Sequence, residues 1–459
     1  MTPGRSREQR AVPVATIVAV LIWVGVGAAL QWSVVRFSVP ILLTLTMAAL
    51  ALAAHVTVGR PLRLGRRTVS VVLLAGVVVL WTVPLFTYLT GGWRMSAYAV
   101  LTVTGLGGAV LLWRPSIGRV RTAYILALLA HLALVVIAVR GDPAPRIDVW
   151  VTLQQASDAL ARGESFYSLT WVGSPGIQDA FTYFPWMAVL LAPGRWLAGD
   201  IRWALAAWSL ALYAALWALA RRSGSEPRWW SQTPVAAAGG ALVLVTFPGH
   251  LTQIDQAWTE PVLAALLLWW AVLVRSGRAW WAVIPLALAL ASKQHMVLLI
   301  PLLMLCRPFG WRRTLTSGAL SGLLMSPWLV GDFTGLWHDT VTLLVSFHPI
   351  RFANTWYLFA LNVLGVQLPL WITGLVVVGA LAAGCHLVFH RQLGPVDTLT
   401  VAALVLLVAN LVNKQAFYNQ FWLSAALVIG SLVASKDTPL TRPKEAAPVP
   451  ACGPADPGP

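Results

Sequence analysis

Carboxylates are scarce in this chain, and the place where they gather is its first chemical signal. Only 16 Asp and Glu residues are spread over 459 positions. Glu8 stands alone until Asp142, and then Asp142, Asp148, Asp158, Glu164 and Asp179 follow within one polar stretch. A carboxylate within hydrogen-bond reach of an attacking hydroxyl can take its proton as the new bond forms. Asp148 is placed for that role, in Ile147-Asp148-Val149-Trp150 at the head of a helical run that ends at Gly163. An Asp directly before a helix is also a preferred N-cap worth about 1 kcal/mol, so its position has a structural explanation too. Two further polar groups interrupt apolar sequence: Thr252-Gln253-Ile254-Asp255-Gln256 and Ser292-Lys293-Gln294-His295.

The elements that position these residues belong in a bilayer. Hydrophobic residues make up 58% of the chain, charged residues 10%, and mean hydropathy is +0.74. Soluble domains carry about 25% charged residues. Successive continuous apolar runs of ~17–22 residues are long enough to cross ~30 Å of hydrocarbon as helices. Strands are not expected, because the runs do not alternate. The run from Ala11 to Leu30 lacks a small-residue cleavage site and reads as a retained span. Cys306, Cys385 and Cys452 offer neither a disulfide framework nor a metal knuckle.

The formal charge of +16 does not imply nucleic acid. Segments expected inside hold 22 Lys and Arg with 6 acids, and those expected outside hold 10 of each. The whole excess therefore lies on one face, as the positive-inside rule requires. The expected order is a cytoplasmic N-terminus (1–10), four spans (11–121), a membrane domain (122–435) and a disordered cytoplasmic tail (436–459). Within the outer loop 140–182, Val149, Leu153, Ala156 and Leu160 share one helical face, which predicts an interfacial amphipathic helix. The run 184–198 is short, is interrupted by Pro185 and Pro193, and reads as re-entrant. Residues 279–306 read as two short helices meeting at Ser292-Lys293, since one helix would place Arg307, Arg312 and Arg313 outside. Irregular backbone below the membrane surface is tolerated only where it lines a cavity or is buried in protein. In all, an all-α polytopic protein of about 14 membrane segments is expected.

At these residues the chain resembles the polyprenyl-phosphate-sugar-dependent glycosyltransferases of the GT-C class, and within it the bacterial mannosyltransferases of glycosyltransferase family 87. That family has an Asp at the start of an outer loop, a helix ending in Gly, then a Tyr and a Tyr-Pro-Pro-like entry to the next helix. Asp148, Gly163, Tyr167 and Tyr183-Phe184-Pro185 match it here. A Gly-Gln-like turn matches at 252–256, and a Lys-containing turn at 292–295, with Pro301 after it. The likeness covers residues 122–435. Four spans precede the Asp-bearing loop where the family usually has one. Val149 follows Asp148 where many GT-C enzymes carry a second acid, so no metal and no cofactor are expected.

The resemblance implies a plasma-membrane enzyme of GT-C architecture with both termini cytoplasmic and its site facing outward. It would be an inverting hexosyltransferase, with mannose as first choice and arabinose or glucose still open. Its partners would be a polyprenyl-phosphate sugar donor, a glycolipid or polysaccharide acceptor and membrane lipid, with no nucleic acid. Asp148 would be the base. Lys293 and His295, helped by Arg351 and Lys414, would hold the departing phosphate. Tyr167, Tyr183, Gln253, Asp255, Gln256 and His348 would contact sugar. Each has a plainer reading: Lys293 and His295 can anchor by snorkelling, outer cations can meet headgroups, and a polar turn needs no ligand. Trp150 and Trp186 flank the site and could stack on sugar, though most of the 25 tryptophans suit interface anchoring. A secondary transporter or flippase is the alternative, but it predicts midplane ionisable groups and two related halves. A scaffold gives no reason for the recessed Lys293 turn.

Overall fold

The computed structural model describes residues 14–34, 36–58, 65–221, 235–247 and 249–434. The expected terminal segments 1–10 and 436–459 lie outside the described residues. Helix accounts for 76%, and no strand occurs among the described residues. The chain begins with α1 (Val14–Ser33), α2 (Val39–Val58), α3 (Arg66–Thr82), α4 (Gly91–Trp113) and α5 (Ile117–Gly141). It continues with α6 (Asp148–Arg162), α7 (Trp186–Ala198), α8 (Arg202–Ala220), α9 (Val235–Thr246), the short α10 (Leu251–Asp255) and α11 (Glu260–Arg275). After these come α12 (Val283–Leu290), a 3-10 turn (Gln294–Leu299), α13 (Ile300–Leu305) and α14 (Gly310–Gly331). The remainder is α15 (Phe333–Trp337), a π-helical turn (His338–Thr342), α16 (Leu343–Ser346), α17 (Trp356–Val363), α18 (Leu370–Arg391), α19 (Pro395–Val412) and α20 (Tyr418–Val433).

Six of these helices, α2, α4, α5, α8, α18 and α19, are long and apolar enough to cross a membrane. Among the four spans expected over 11–121, the third, expected over 69–90, stops as helix at Thr82, because Pro84 excludes helical backbone from the residue before it. A new helix then starts at Gly91. The stretch 332–365, expected as an outer loop, carries α15, the π-helical turn, α16 and α17.

Close packing ties the first four helices to the rest. A Cβ on Gly27 of α1 would lie 2.2 Å from the Phe247 ring, and one on Gly76 of α3 would lie 2.9 Å from Phe247 Cβ. Small residues let helices approach this closely where lipid gives no hydrophobic drive for association.

Side-chain links sort the helix ends into two groups. At one end, Arg391 donates to the carbonyls of Val56 and Thr57, Arg275 to Leu219, and Ser70 of α3 to Ala109 of α4. The Arg313 guanidinium lies 5.1 Å above the Trp280 ring. That contact brings the starts of α12 and α14 together, while the Trp186 amide and indole reach Ala291 and Leu324 at their far ends. The chain therefore reverses at Ser292-Lys293. The opposite end of the bundle holds the polar loops and the cavity described next.

Candidate active site

α6 orders the site. Its apolar residues Val151, Leu153, Ala156 and Ala159 are buried, and Gly163 ends it at φ +68 with its amide on the Ala159 and Leu160 carbonyls. Glycine meets that left-handed conformation without a Cβ clash. A bidentate Arg195–Asp158 pair ties α6 to α7. At its start, the Trp150 indole donates to Asp200, whose carboxylate also pairs with the fully buried Arg202. Arg202 in turn donates to the carbonyls of Ala138 and Asp142, which fixes the chain leaving α5.

Asp148 is the first helical residue; Ile147 holds the cap position. The expectation of an Asp N-cap is therefore corrected by one residue. Asp148 Oδ1 accepts from the Val149 amide at 2.9 Å, and the Ile177 backbone lies in hydrogen-bond reach. Burial raises the Asp148 pKa above the ordinary carboxylate range, and these amides offset the rise only in part. The loop 171–178 closes against this carboxylate. It is held by Trp171 N–H to Gln178 at 2.6 Å, by Ser174 Oγ to Ile177, and by a two-way pairing of the Gln155 amide with the Val172 backbone.

Asp148 lines a cavity of about 1160 Å³. Arg146, Tyr183, Gln256, Lys293, His295 and His348 line the same cavity, although they span 203 positions of sequence from 146 to 348. Lys293 is buried and its ammonium is committed: it donates to Glu260 Oε1 at 2.5 Å and Thr259 Oγ1 at 3.2 Å, and sits 5.3 Å from the Tyr183 ring centre. Glu260 thus neutralises Lys293 locally. The guanidinium of Arg146 makes no contact ion pair among the described residues, although its charge reaches the Asp142 carboxylate, and it lines the cavity wall as an exposed cation.

The helices before α5 build part of this wall. Ser33, Val34, Phe86 and Tyr88 face the cavity. The Tyr88 amide donates to Asp255 Oδ2 at 2.9 Å, and its hydroxyl donates to the Arg146 carbonyl at 2.9 Å. Burial, with the nearby Asp255 and Asp148 charges, raises the Tyr88 pKa, so its hydroxyl stays protonated.

Five nominated residues do not reach the cavity. Tyr167 is buried beneath it among Phe166 and Phe181, and its hydroxyl donates to the Tyr183 carbonyl, so it positions Tyr183. Gln253 is fully buried outside the cavity lining, with both its carboxamide atoms unpaired. Asp255 is taken up by the Tyr88 amide and the Gln256 side chain. Arg351 is exposed, and Lys414 donates to the carbonyls of Val345 and Phe347, which pins that loop. Between Gln256 and Trp258, both facing the cavity, Ala257 has φ +53. A non-glycine residue there costs about 1–3 kcal/mol, a strain that concentrates at ligand sites.

The residues that sequence reading missed are Arg146, Tyr88 and Glu260. Arg146 is two positions from Asp148 and was legible as a loop cation. Tyr88 and Glu260 act across the fold and leave no local signal. No family model matches the chain, and no curated protein matches it.

Proposed function

We propose that the chain is a membrane-embedded inverting glycosyltransferase with a GT-C-like bundle of about 14 membrane segments. It would move a hexose, with mannose favoured by the resemblance, from a polyprenyl-phosphate carrier to a glycolipid or glycan acceptor. The observation that supports this reading is one large cavity lined together by a half-buried base, Asp148, and an exposed cation in no ion pair, Arg146. The arginine-rich helix ends lie at the other end of the bundle, which under the positive-inside rule turns the cavity outward. Sugar nucleotides are cytoplasmic, so an outward site calls for a lipid-carried sugar. Thiol labelling of Asp179→Cys from outside intact cells checks this orientation; labelling only after lysis would reverse it.

In the proposed step, the acceptor hydroxyl gives its proton to an Asp148 oxygen while its own oxygen attacks the anomeric carbon. The bond from that carbon to the phosphate oxygen breaks, the phosphate keeps the electron pair, and the anomeric centre inverts. Arg146 faces the charge that builds on the phosphate. Lys293, held by Glu260, shapes the wall beside Tyr183 more than it supplies net charge. The donor side is tested by binding: Arg146→Gln should weaken polyprenyl phosphate binding in nanodiscs about tenfold, while Arg351→Gln leaves it unchanged. Equal affinity in Arg146→Gln would remove the phosphate assignment.

Gly176 gives a sharper local test. A Cβ there would lie 2.6 Å from Asp148 Oδ2. Gly176→Ala should displace the carboxylate and lower turnover at least ~10-fold, since general base catalysis requires hydrogen-bond geometry. The thermal transition should move little, because the site is an exposed loop. Unchanged turnover would mean that the carboxylate needs no such placement.

A further inference from the structure

Gln415 and the start of α20 build a wall of the cavity unlike the Asp148 side. Gln415, Asn419 and Gln420 face the cavity there, together with Gln256. Each of the four has a carboxamide atom that is buried without a hydrogen-bond partner: Gln415 Nε2, Asn419 Oδ1, Gln420 Oε1 and Gln256 Oε1. Gln256 is fully buried and Asn419 is 7% exposed, while Gln415 and Gln420 are half-buried. Buried polar atoms are nearly always paired, and a ring of unpaired ones around a cavity marks a surface shaped for a polar guest. The orientation of Gln256 is fixed, because its Nε2 donates to Asp255 Oδ2 at 3.0 Å, which leaves Oε1 as a buried acceptor without a partner in the wall itself.

We propose that this wall binds an uncharged polyhydroxyl group, and, resting on the transferase reading above, that the group is the acceptor sugar. Hydroxyls both donate and accept, so they can satisfy carboxamide oxygens and amide N–H groups alike. A carboxylate or phosphate only accepts and could satisfy none of the three unpaired oxygens, on Gln256, Asn419 and Gln420. The turn's one charge, Lys414, does not line the cavity and is spent on the Val345 and Phe347 carbonyls. Beside the amides, Trp258 and Tyr418 stack at 5.4 Å and 29° and line the same cavity, giving an apolar face for the carbon–hydrogen side of a sugar ring. Anion recognition and sugar recognition are thereby divided between the Arg146 side and the carboxamide side.

Saturation-transfer NMR on the full chain in nanodiscs tests this without turnover. The probes are the methyl glycosides of mannose, glucose and arabinose, with methyl glucuronide as the charged counterpart. At least one neutral glycoside should receive saturation and the glucuronide none. Gln420→Leu should raise the neutral ligand's Kd about tenfold, the share of one or two hydrogen bonds, with polyprenyl phosphate binding retained. Gln420→Glu keeps size and an acceptor oxygen for sugar hydroxyls, so it should keep the neutral ligand. Absence of saturation for every neutral glycoside, equal binding by the glucuronide, or unchanged Kd in Gln420→Leu overturns the proposal. Sugar binding that obeys these rules in a protein that transfers nothing upholds the wall and removes the transferase reading instead.

Discussion

Asp148→Asn is expected to lower turnover by roughly 10²–10⁴-fold, the usual share of general base catalysis, in a protein that folds as before. Asn keeps an oxygen for the Val149 amide, so the start of α6 retains its hydrogen bond. What it loses is basicity. The base must be ionised to act, and burial holds Asp148 protonated to higher pH than an ordinary carboxylate. The wild-type rate should therefore rise with pH through that elevated pKa and then level off, and Asp148→Asn should flatten this limb. Asp179→Asn, on the same cavity, should cost little. Asp158→Asn breaks the pair with Arg195 and should show itself in stability, not in turnover. Equal losses of turnover at all three positions would point to loop electrostatics and not to one base.

The second large effect is on folding. Glu260→Ala strands the buried Lys293 ammonium, and breaking a buried pair by removing one partner costs about 3–5 kcal/mol. Little folded protein should be recovered, as judged by monodisperse yield and thermal transition in detergent. Glu260→Leu combined with Lys293→Met removes both charges, and such replacements are often neutral or stabilising, so folding should return. If the single variant is as stable as wild type, Lys293 must find its counter-charge elsewhere, and the neutralised-wall description fails.

Much of this arrangement was legible because a bilayer simplifies sequence. Polar residues in apolar runs need a reason, which is why Asp148 and the Ser292-Lys293 break stood out. The three- and four-residue spacing of Val149, Leu153, Ala156 and Leu160, closed by Gly163, located α6 well. The illegible part has two physical causes. At the five-residue α10, neighbouring polar residues take different surroundings, so the capping Gln256 lines the cavity while Gln253 and Asp255 within the helix do not. Contacts between distant segments leave no periodic trace either: Tyr88 meets Asp255 across 167 positions, and Glu260 meets Lys293 across 33. Lys414 shows both limits, since a loop lysine that reads as a phosphate ligand serves instead as a clamp on Val345 and Phe347.

The most direct test is the fate of the sugar–phosphate bond. Purified protein in proteoliposomes is given polyprenyl-phosphate sugars one at a time, labelled in both sugar and lipid, with membrane glycolipid as acceptor. With one sugar, wild-type protein should release free polyprenyl phosphate and place the sugar label on the acceptor with inverted anomeric configuration, and Asp148→Asn should do neither. Movement of the intact donor to the opposite leaflet, with the bond uncleaved, would contradict the transferase and identify a flippase.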